Sequence, residues 1–169
     1  GIETNILALV GKIILSIERK FRSPRAESYF AWKLTFDAWG NKISNKRTNF
    51  DWLSNDTFQV DKYIQDKLCG FDISLQSWLE VAEAVFYSSR NLSMIPSNFP
   101  ICLVGGEQDP CTNYGKDMRK LAARLKRMGH VNFSHETIRG CRHETLNEIN
   151  REHYVGIFLD WLQDQTKRN

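Results

Sequence analysis

The last third of the sequence constrains the fold most, because a buried strand there is followed by a helix, a second strand and a second helix. Pro100–Gly106 is a short, unbroken apolar run bounded by proline and glycine, which is typical of a strand buried on both faces of a parallel sheet. The pattern after it predicts a helix over Gly115–Gly129, a strand over Val131–Ile138 and a helix over Thr145–Gln163. This order predicts a right-handed parallel β–α–β unit with one added helix.

Apolar residues at helical spacing predict the buried faces of these two helices. The first face consists of Met118, Leu121, Ala122, Leu125 and Met128, and the second of Leu146, Ile149, Ile157, Phe158, Trp161 and Leu162.

The residues before this unit are predicted to be almost wholly helical. The pattern indicates helices over Glu3–Phe21 (with Thr4 or Asn5 as its cap), over Glu27–Trp39, from a Ser54 cap through Tyr63, and from Ser74 or Ser77 to about Arg90. We therefore expect an α/β chain with two parts. Residues 1–95 form a helical segment, and residues 96–169 form the β–α–β–α part.

The first helix carries an apolar stripe, which consists of Ile6, Val10, Ile13, Ile14, Ile17 and Phe21. Core packing is the favoured use of this stripe, and peripheral contact with a lipid surface is the alternative. Gly11 and Lys12 interrupt the run, which is far shorter than the roughly 20 apolar residues that a membrane span needs.

Charge and cysteine content exclude several classes of function. The net charge is only +3, from 23 basic and 20 acidic side chains, and the basic residues between Arg119 and Arg127 lie on the outer face of a helix, so nucleic-acid binding is not expected. The four cysteines form no CxxC pair, which favours free thiols (Cys102 buried among them) in a reducing, cytoplasmic compartment. No cofactor is indicated.

Two loops follow the predicted strands, and each contains a residue that can take part in acid–base chemistry. Asp109 lies in the loop after the first strand and His143 in the loop after the second. Adjacent parallel strands end at the same edge of a sheet, so the carboxylate and the imidazole could meet there. A carboxylate that accepts a hydrogen bond from Nδ1–H would orient the ring as in a catalytic triad. Turn formation by Asp109 and a structural role for His143 remain the simpler alternatives.

The sequence resembles the C-terminal half of an α/β-hydrolase of the lysophospholipase and monoacylglycerol lipase (serine aminopeptidase-like) family. The resemblance is carried by the pattern P-x-C-L-V-G-G-x-x-D-P, by G-C-R-H-E-x-x-N-E, and by F-D-W-L-S-N-D at Phe50–Asp56. It implies a partial α/β-hydrolase fold, with a helical cap followed by the last two parallel strands and their helices. It also implies that Asp109 is the triad acid and His143 the general base.

The sequence departs from the family pattern at the nucleophile. The family's serine lies in a G-x-S-x-G elbow, and no such motif occurs in these 169 residues. Because the sequence also begins without methionine, we expect a piece of something longer. Cys141 as a substitute nucleophile is disfavoured by its closeness to His143 in the sequence, and a metal site built from Cys69, Cys111, Cys141 and His143 has the wrong spacing. Solvent exposure or local hydrogen bonding accounts for His130, His135 and His153.

Two hypotheses follow for the function. In the first, the chain is the C-terminal portion of a hydrolase that cleaves lipid-like carboxylic esters. In the second, it is a catalytically inactive domain that is stable as a homodimer or with an N-terminal half, because a two-stranded sheet leaves its edges and faces uncovered.

Overall fold

The computed structural model describes residues 6–167. Its strands are β1 (Ile101–Gly106) and β2 (Phe133–Ile138), and its helices are α1 (Ile6–Phe21), α2 (Tyr29–Trp32), α3 (Ala38–Gly40), α4 (Thr57–Gln65), α5 (Leu75–Arg90), α6 (Lys116–Arg127) and α7 (Arg151–Lys167). A π-helical turn, Lys33–Asp37, joins α2 to α3, and 3₁₀ turns at Leu92–Met94 and Thr145–Asn147 follow α5 and β2. The cap predicted at Thr4 or Asn5 lies outside the described residues.

The starts of two helices show how local sequence and tertiary contacts compete. Ser74 caps α5, as one of the two predicted alternatives. The prediction of a Ser54 cap for α4 is wrong, because Asp56 caps that helix through a 3.0 Å hydrogen bond from the backbone N–H of Phe58. The Ser54 hydroxyl instead donates to the carbonyl of Asn147, at 2.9 Å. The Ser54 oxygen also accepts a 2.9 Å hydrogen bond from the backbone N–H of Asp56, so Ser54 links the capping residue of α4 to the distant Asn147.

β1 and β2 form a parallel pair that is joined through α6. The register runs from Ile101 beside Phe133 to Gly106 beside Ile138. Leu121 and Leu125 of α6 cover this pair from one side and form a buried cluster with Leu92. The predicted parallel β–α–β arrangement is therefore present.

The sheet is less buried than the sequence pattern predicts. Ile101–Val104 are only partly buried, and Cys102 is only partly buried among them. Among residues 6–167 the sheet has two strands, so the outer edge of β1 has no neighbouring strand there. This arrangement explains why an apolar run typical of a central strand keeps exposed surface.

The last helix also has a smaller buried face than predicted. Tyr154 is its buried residue, and it packs with Ile138 and Cys141. Leu146, Ile149 and Leu162 were expected in the core, but they are 47%, 69% and 50% exposed. Helical spacing identified an apolar face here, but only the part that lies over the end of β2 has a surface to pack against.

The apolar stripe of α1 is not core in the described structure. Leu15 and Glu18 are buried in this helix, and Leu15 packs with Ala31 and Leu75. The stripe residues Val10, Ile13, Ile17 and Phe21 are exposed, so the expectation of core packing is wrong for them. None of the helices between residues 6 and 167 is long and apolar enough to cross a bilayer.

Candidate functional site

The two loops after the parallel strands lie against each other because a glycine permits their close approach. Gly106 ends β1, and a Cβ atom placed on it would overlap the backbone carbonyl oxygens of Cys141 and Arg142. The backbone N–H of Gln108 donates to the carbonyl of Cys141 at 2.8 Å, and that of Glu107 donates to the carbonyl of Ile138 at 2.9 Å. The loop after β1 is therefore bound directly to the loop after β2.

Asp109 is buried at the centre of this contact, with 1% of its surface exposed. One carboxylate oxygen, Oδ1, accepts a 2.8 Å hydrogen bond from the backbone N–H of Cys111. The other oxygen, Oδ2, lies 3.0 Å from Nδ1 of His143. The backbone carbonyl of Asp109 accepts a 2.8 Å hydrogen bond from the N–H of Tyr114, which closes the loop. A buried carboxylate needs such partners, and these contacts hold its free oxygen toward the imidazole.

His143 is held from its backbone and from its ring. Its N–H donates to the carbonyl of Trp52 at 3.4 Å, and the N–H of Glu144 donates to the carbonyl of Leu53 at 2.8 Å. The imidazole packs on the Trp52 indole with ring centroids 5.0 Å apart. Since Nδ1 faces a carboxylate, the ring is assigned as the Nδ1–H tautomer, which leaves Nε2 as a proton acceptor. The His143 side chain is 36% exposed, whereas that of Asp109 is 2% exposed. The buried acid thus orients an imidazole that other groups can reach.

The segment Asp51–Asn55 forms one wall of the site, a role that the sequence analysis did not assign to it. Besides its contacts with His143 and Glu144, this segment receives the Arg142 guanidinium. The Nη1 atom of Arg142 donates to the carbonyls of Asp51 (2.7 Å) and Ser54 (3.0 Å). The run F-D-W-L-S-N-D was already conspicuous in the sequence, but its pairing with residues 142–144 is a long-range contact that no local pattern encodes.

Glu148 is a second residue that the sequence analysis missed. It is 3% exposed, and its carboxylate accepts hydrogen bonds from the backbone N–H of Arg142 (2.8 Å) and from the backbone N–H (3.2 Å) and side-chain Nδ2 (3.1 Å) of Asn55. A glutamate just before a helix is ordinarily solvated, so nothing in the local sequence indicates that this one is buried.

Aromatic side chains surround Trp52 on the side of the helical segment. The Trp52 ring lies 4.9 Å from the Trp39 ring and 5.9 Å from the Phe36 ring, and Phe36 lies 5.7 Å from Trp78. The imidazole of His143 therefore adjoins an aromatic cluster contributed by the helical part of the chain.

Cys111 lies beside the acid–imidazole pair. Its Sγ, a carboxylate oxygen of Asp109 and a ring nitrogen of His143 all lie within 4.8 Å of one another. Burial, together with the nearby negative charge of Asp109, raises the pKa of the Cys111 thiol to about 11. The thiol is therefore protonated at neutral pH in the metal-free chain, and a protonated thiol is a poor nucleophile.

The other candidates from the sequence lie apart from this pair or are chemically unsuited. Cys141 is 1% exposed, and burial raises the pKa of its thiol, which argues against a nucleophile. His135 and His153 are exposed, as expected. His130 is buried, and its Nδ1 has no hydrogen-bond partner among the described residues, so the expectation of exposure or local bonding does not fit its side chain.

The chain matches a known protein family over most of its length. Residues 7–150 match the family model described as serine aminopeptidase, S33. No curated protein matches the chain.

Solved structures with a similar fold include three hydrolases. The chain is 18% identical to a highly thermostable carboxyl esterase from Bacillus coagulans in complex with glycerol, with a TM-score of 0.82 over 96% of this chain and 53% of that one. It is 22% identical to a lipase in an open form, with a TM-score of 0.77 over 90% of this chain and 50% of that one. It is 17% identical to a Paleococcus ferrophilus monoacylglycerol lipase, with a TM-score of 0.56 over 95% and 52%. The chain thus spans about half the length of each.

Proposed function

Because the chain belongs to the serine aminopeptidase S33 family and has a partial α/β-hydrolase fold, we propose that it supplies the acid and the histidine of a serine hydrolase. The proposed substrates are lipid-like carboxylic esters, of the kind cleaved by lysophospholipases or monoacylglycerol lipases. The observation that carries the proposal is the 3.0 Å contact between Oδ2 of the buried Asp109 and Nδ1 of the accessible His143.

In this proposal His143 is the general base and Asp109 orients it. Nε2 of His143 takes the proton of a serine hydroxyl as the serine oxygen bonds to the ester carbonyl carbon. Collapse of the tetrahedral intermediate breaks the bond to the alcohol oxygen, which receives that proton from the imidazolium. Water then attacks the acyl-enzyme carbonyl while His143 takes its proton. Collapse of this second intermediate breaks the bond to the serine oxygen, which receives that proton as the acid is released. The Asp109 carboxylate stabilises the imidazolium by accepting the hydrogen bond from Nδ1–H.

The aromatic cluster supports a lipid-like substrate. Its rings belong to the residues proposed as the cap, and they are those of Phe36, Trp39, Trp52 and Trp78. The Trp52 ring contacts the catalytic imidazole directly. Trp52 is itself only 3% exposed, so the partly buried rings of Phe36, Trp39 and Trp78 would supply the apolar surface near the reacting carbonyl. Such a surface favours substrates with an acyl chain or an apolar alcohol. The division into a cap at residues 1–95 and a core at residues 96–169 is part of the same proposal.

The proposal requires a nucleophile and oxyanion donors from outside these 169 residues. The natural source is an N-terminal segment with a G-x-S-x-G elbow, followed in the fold by a strand that pairs with the open edge of β1. The exposed apolar face of α1 is available to the same segment, or to a lipid surface.

Complementation tests this proposal. The N-terminal half of a hydrolase of the same family, fused ahead of Gly1, is expected to give hydrolysis of p-nitrophenyl esters. Asp109→Asn and His143→Ala are expected to lower kcat/KM by roughly 10³-fold or more, because triad residues act as a unit. His153→Ala, an exposed histidine on α7, is the matched control and should leave the rate unchanged. Full activity in both site variants would refute the proposal.

The isolated chain is expected to be inert toward a fluorophosphonate probe. The hydroxyl of its buried Ser54, for example, donates to the carbonyl of Asn147 instead of to the His143 imidazole. A stoichiometric adduct on any serine, located by mass spectrometry, would show that the nucleophile lies within these residues and would contradict this assignment of roles.

A second candidate function, a non-catalytic domain that associates with itself, is favoured by the partial burial of β1. In the described residues, Ile101–Val104 keep exposed surface beside an open strand edge. We expect such a sheet to pair with a second copy when the N-terminal half is absent. Light scattering that gives a monomer at all concentrations would exclude this candidate.

A further inference from the structure

The carboxylate of Glu148 occupies a buried position that the proposed reaction does not use. Its oxygens accept hydrogen bonds from three N–H groups, those of the Arg142 backbone, the Asn55 backbone and the Asn55 side chain. A buried carboxylate is tolerated only when it is hydrogen-bonded, and such charge-assisted bonds are about twice as strong as neutral ones. Removing the carboxylate would therefore leave several partly buried donors without their acceptor.

The three donors belong to the residues that hold the imidazole. Arg142 directly precedes His143, and Asn55 ends the segment whose Trp52 contributes both the ring that packs on the imidazole and the carbonyl that accepts the His143 N–H. Glu148 thus joins the two stretches of chain between which the imidazole lies.

Two further contacts make this junction continuous. The Arg142 guanidinium donates to the carbonyls of Asp51 and Ser54, and the Asn55 side chain donates to the carbonyl of Gly140 at 2.8 Å. Gly140 in turn donates its N–H to Glu107, at 3.1 Å, in the loop that contains Asp109. Hydrogen bonds therefore lead from Glu148 to both sides of the Asp109–His143 pair.

We propose that Glu148 is a positioning residue, which holds Arg142 and Asn55 together so that Nδ1 of His143 stays in line with Oδ2 of Asp109. This inference rests on the proposed roles of Asp109 and His143. Glu148 acts through the backbone on either side of the imidazole and does not itself touch the reacting atoms. If Asn55 and Arg142 moved apart, the imidazole could rotate away from the carboxylate. The hydrogen bonds from both residues to Glu148 oppose that movement.

The test is the ring proton on Nδ1 of His143, observed by proton NMR in the intact 169-residue chain. Its downfield resonance, assigned by its loss in His143→Ala, reports the hydrogen bond to Asp109 directly. Glu148→Gln keeps the volume of the side chain and one oxygen acceptor, but it places an NH₂ group where Oε2 now accepts from the backbone N–H of Asn55 at 3.2 Å. We expect the exchange of this proton with water to accelerate by about tenfold or more, since at least one charge-assisted bond is lost. Glu152 is an exposed glutamate on α7, and the control Glu152→Gln should leave the exchange rate of the His143 ring proton unchanged.

The outcomes separate this inference from the proposed function. If Asp109→Asn leaves the resonance in place, the proposed acid–histidine pair itself fails. If Asp109→Asn removes the resonance but folded Glu148→Gln shows the wild-type exchange rate, only the positioning role is overturned. A purely structural glutamate would lower the melting temperature without changing the exchange rate of this proton. If Glu148→Gln does not fold, Asn55→Ala decides: faster exchange supports the role and unchanged exchange overturns it.

Discussion

A methyl group added at Gly106 should disrupt both the fold and the candidate site. The new Cβ in Gly106→Ala would overlap the carbonyl oxygens of Cys141 and Arg142 and would lie 2.6 Å from the carbonyl carbon of Cys141. These neighbours are backbone atoms, which cannot rotate away as a side chain can. The loop after β2 must therefore shift, and overpacking of this kind destabilises a protein by about 1–3 kcal/mol.

For a chain of this size, each kcal/mol lowers the melting temperature by about 2–4 °C. We use the upper part of that energy range, about 2–3 kcal/mol, because both loops at the end of the sheet are affected. Circular dichroism should then show a melting temperature about 4–12 °C below that of the wild type. Urea unfolding should give the same loss of free energy.

The matched control is Gly156→Ala, because nothing lies within 4 Å of a Cβ placed at Gly156 in α7. Replacing a helical glycine by alanine should stabilise the chain by about 0.5–1 kcal/mol. The two substitutions add the same methyl group, so opposite signs would isolate the close approach at Gly106. A Gly106→Ala chain with wild-type stability and an unchanged His143 ring-proton signal would refute the reasoning.

Two further predictions concern packing and pH. Leu125→Ala should lower the free energy of unfolding by about 2–5 kcal/mol, because Leu125 is 1% exposed in the core under the sheet. The control Leu146→Ala, at a 47% exposed position, should change that free energy by less than about 1 kcal/mol. Equal losses for the two variants in urea unfolding would argue against this placement of the core. Cys111 has a folded-state pKa of about 11, above its ordinary value of 9.0. Its contribution to stability is therefore fully present below pH 9 and is lost as the pH rises through 11, so the wild type should lose more stability than Cys111→Ala across this window. Parallel urea midpoints for the two proteins from pH 8 to 11 would contradict the raised pKa.

Several features followed from the sequence because they depend on local patterns. The helical spacing of Met118, Leu121 and Leu125 located α6, and the Pro- and Gly-bounded run located β1. The family resemblance drawn from the two loop motifs and from Phe50–Asp56 is confirmed by the match over residues 7–150. The partial α/β-hydrolase fold is confirmed as well. The catalytic roles of Asp109 and His143, the division into cap and core, and the cytoplasmic location stay predictions.

Errors arose where a pattern identified an apolar face but not what covers it. The stripe of α1 and the outer residues of α7 have the spacing of core residues, yet Ile13 and Leu162 are each 50% exposed. Amphipathic spacing reports only that a face is apolar. Whether that face is buried depends on which other elements lie next to it.

By itself the sequence determined the order of the elements, the parallel β–α–β unit and the two loops that bring an acid and a histidine to one edge of the sheet. The tertiary structure alone decided that Ser54 donates to the carbonyl of Asn147, that Glu148 is buried, and that its carboxylate accepts hydrogen bonds from Arg142 and Asn55. The physical reason is the range of the interactions involved. Strand and helix propensities act between neighbours in the chain, whereas the bonds that hold the imidazole join residues about 90 positions apart, and their partners become adjacent only in the folded chain.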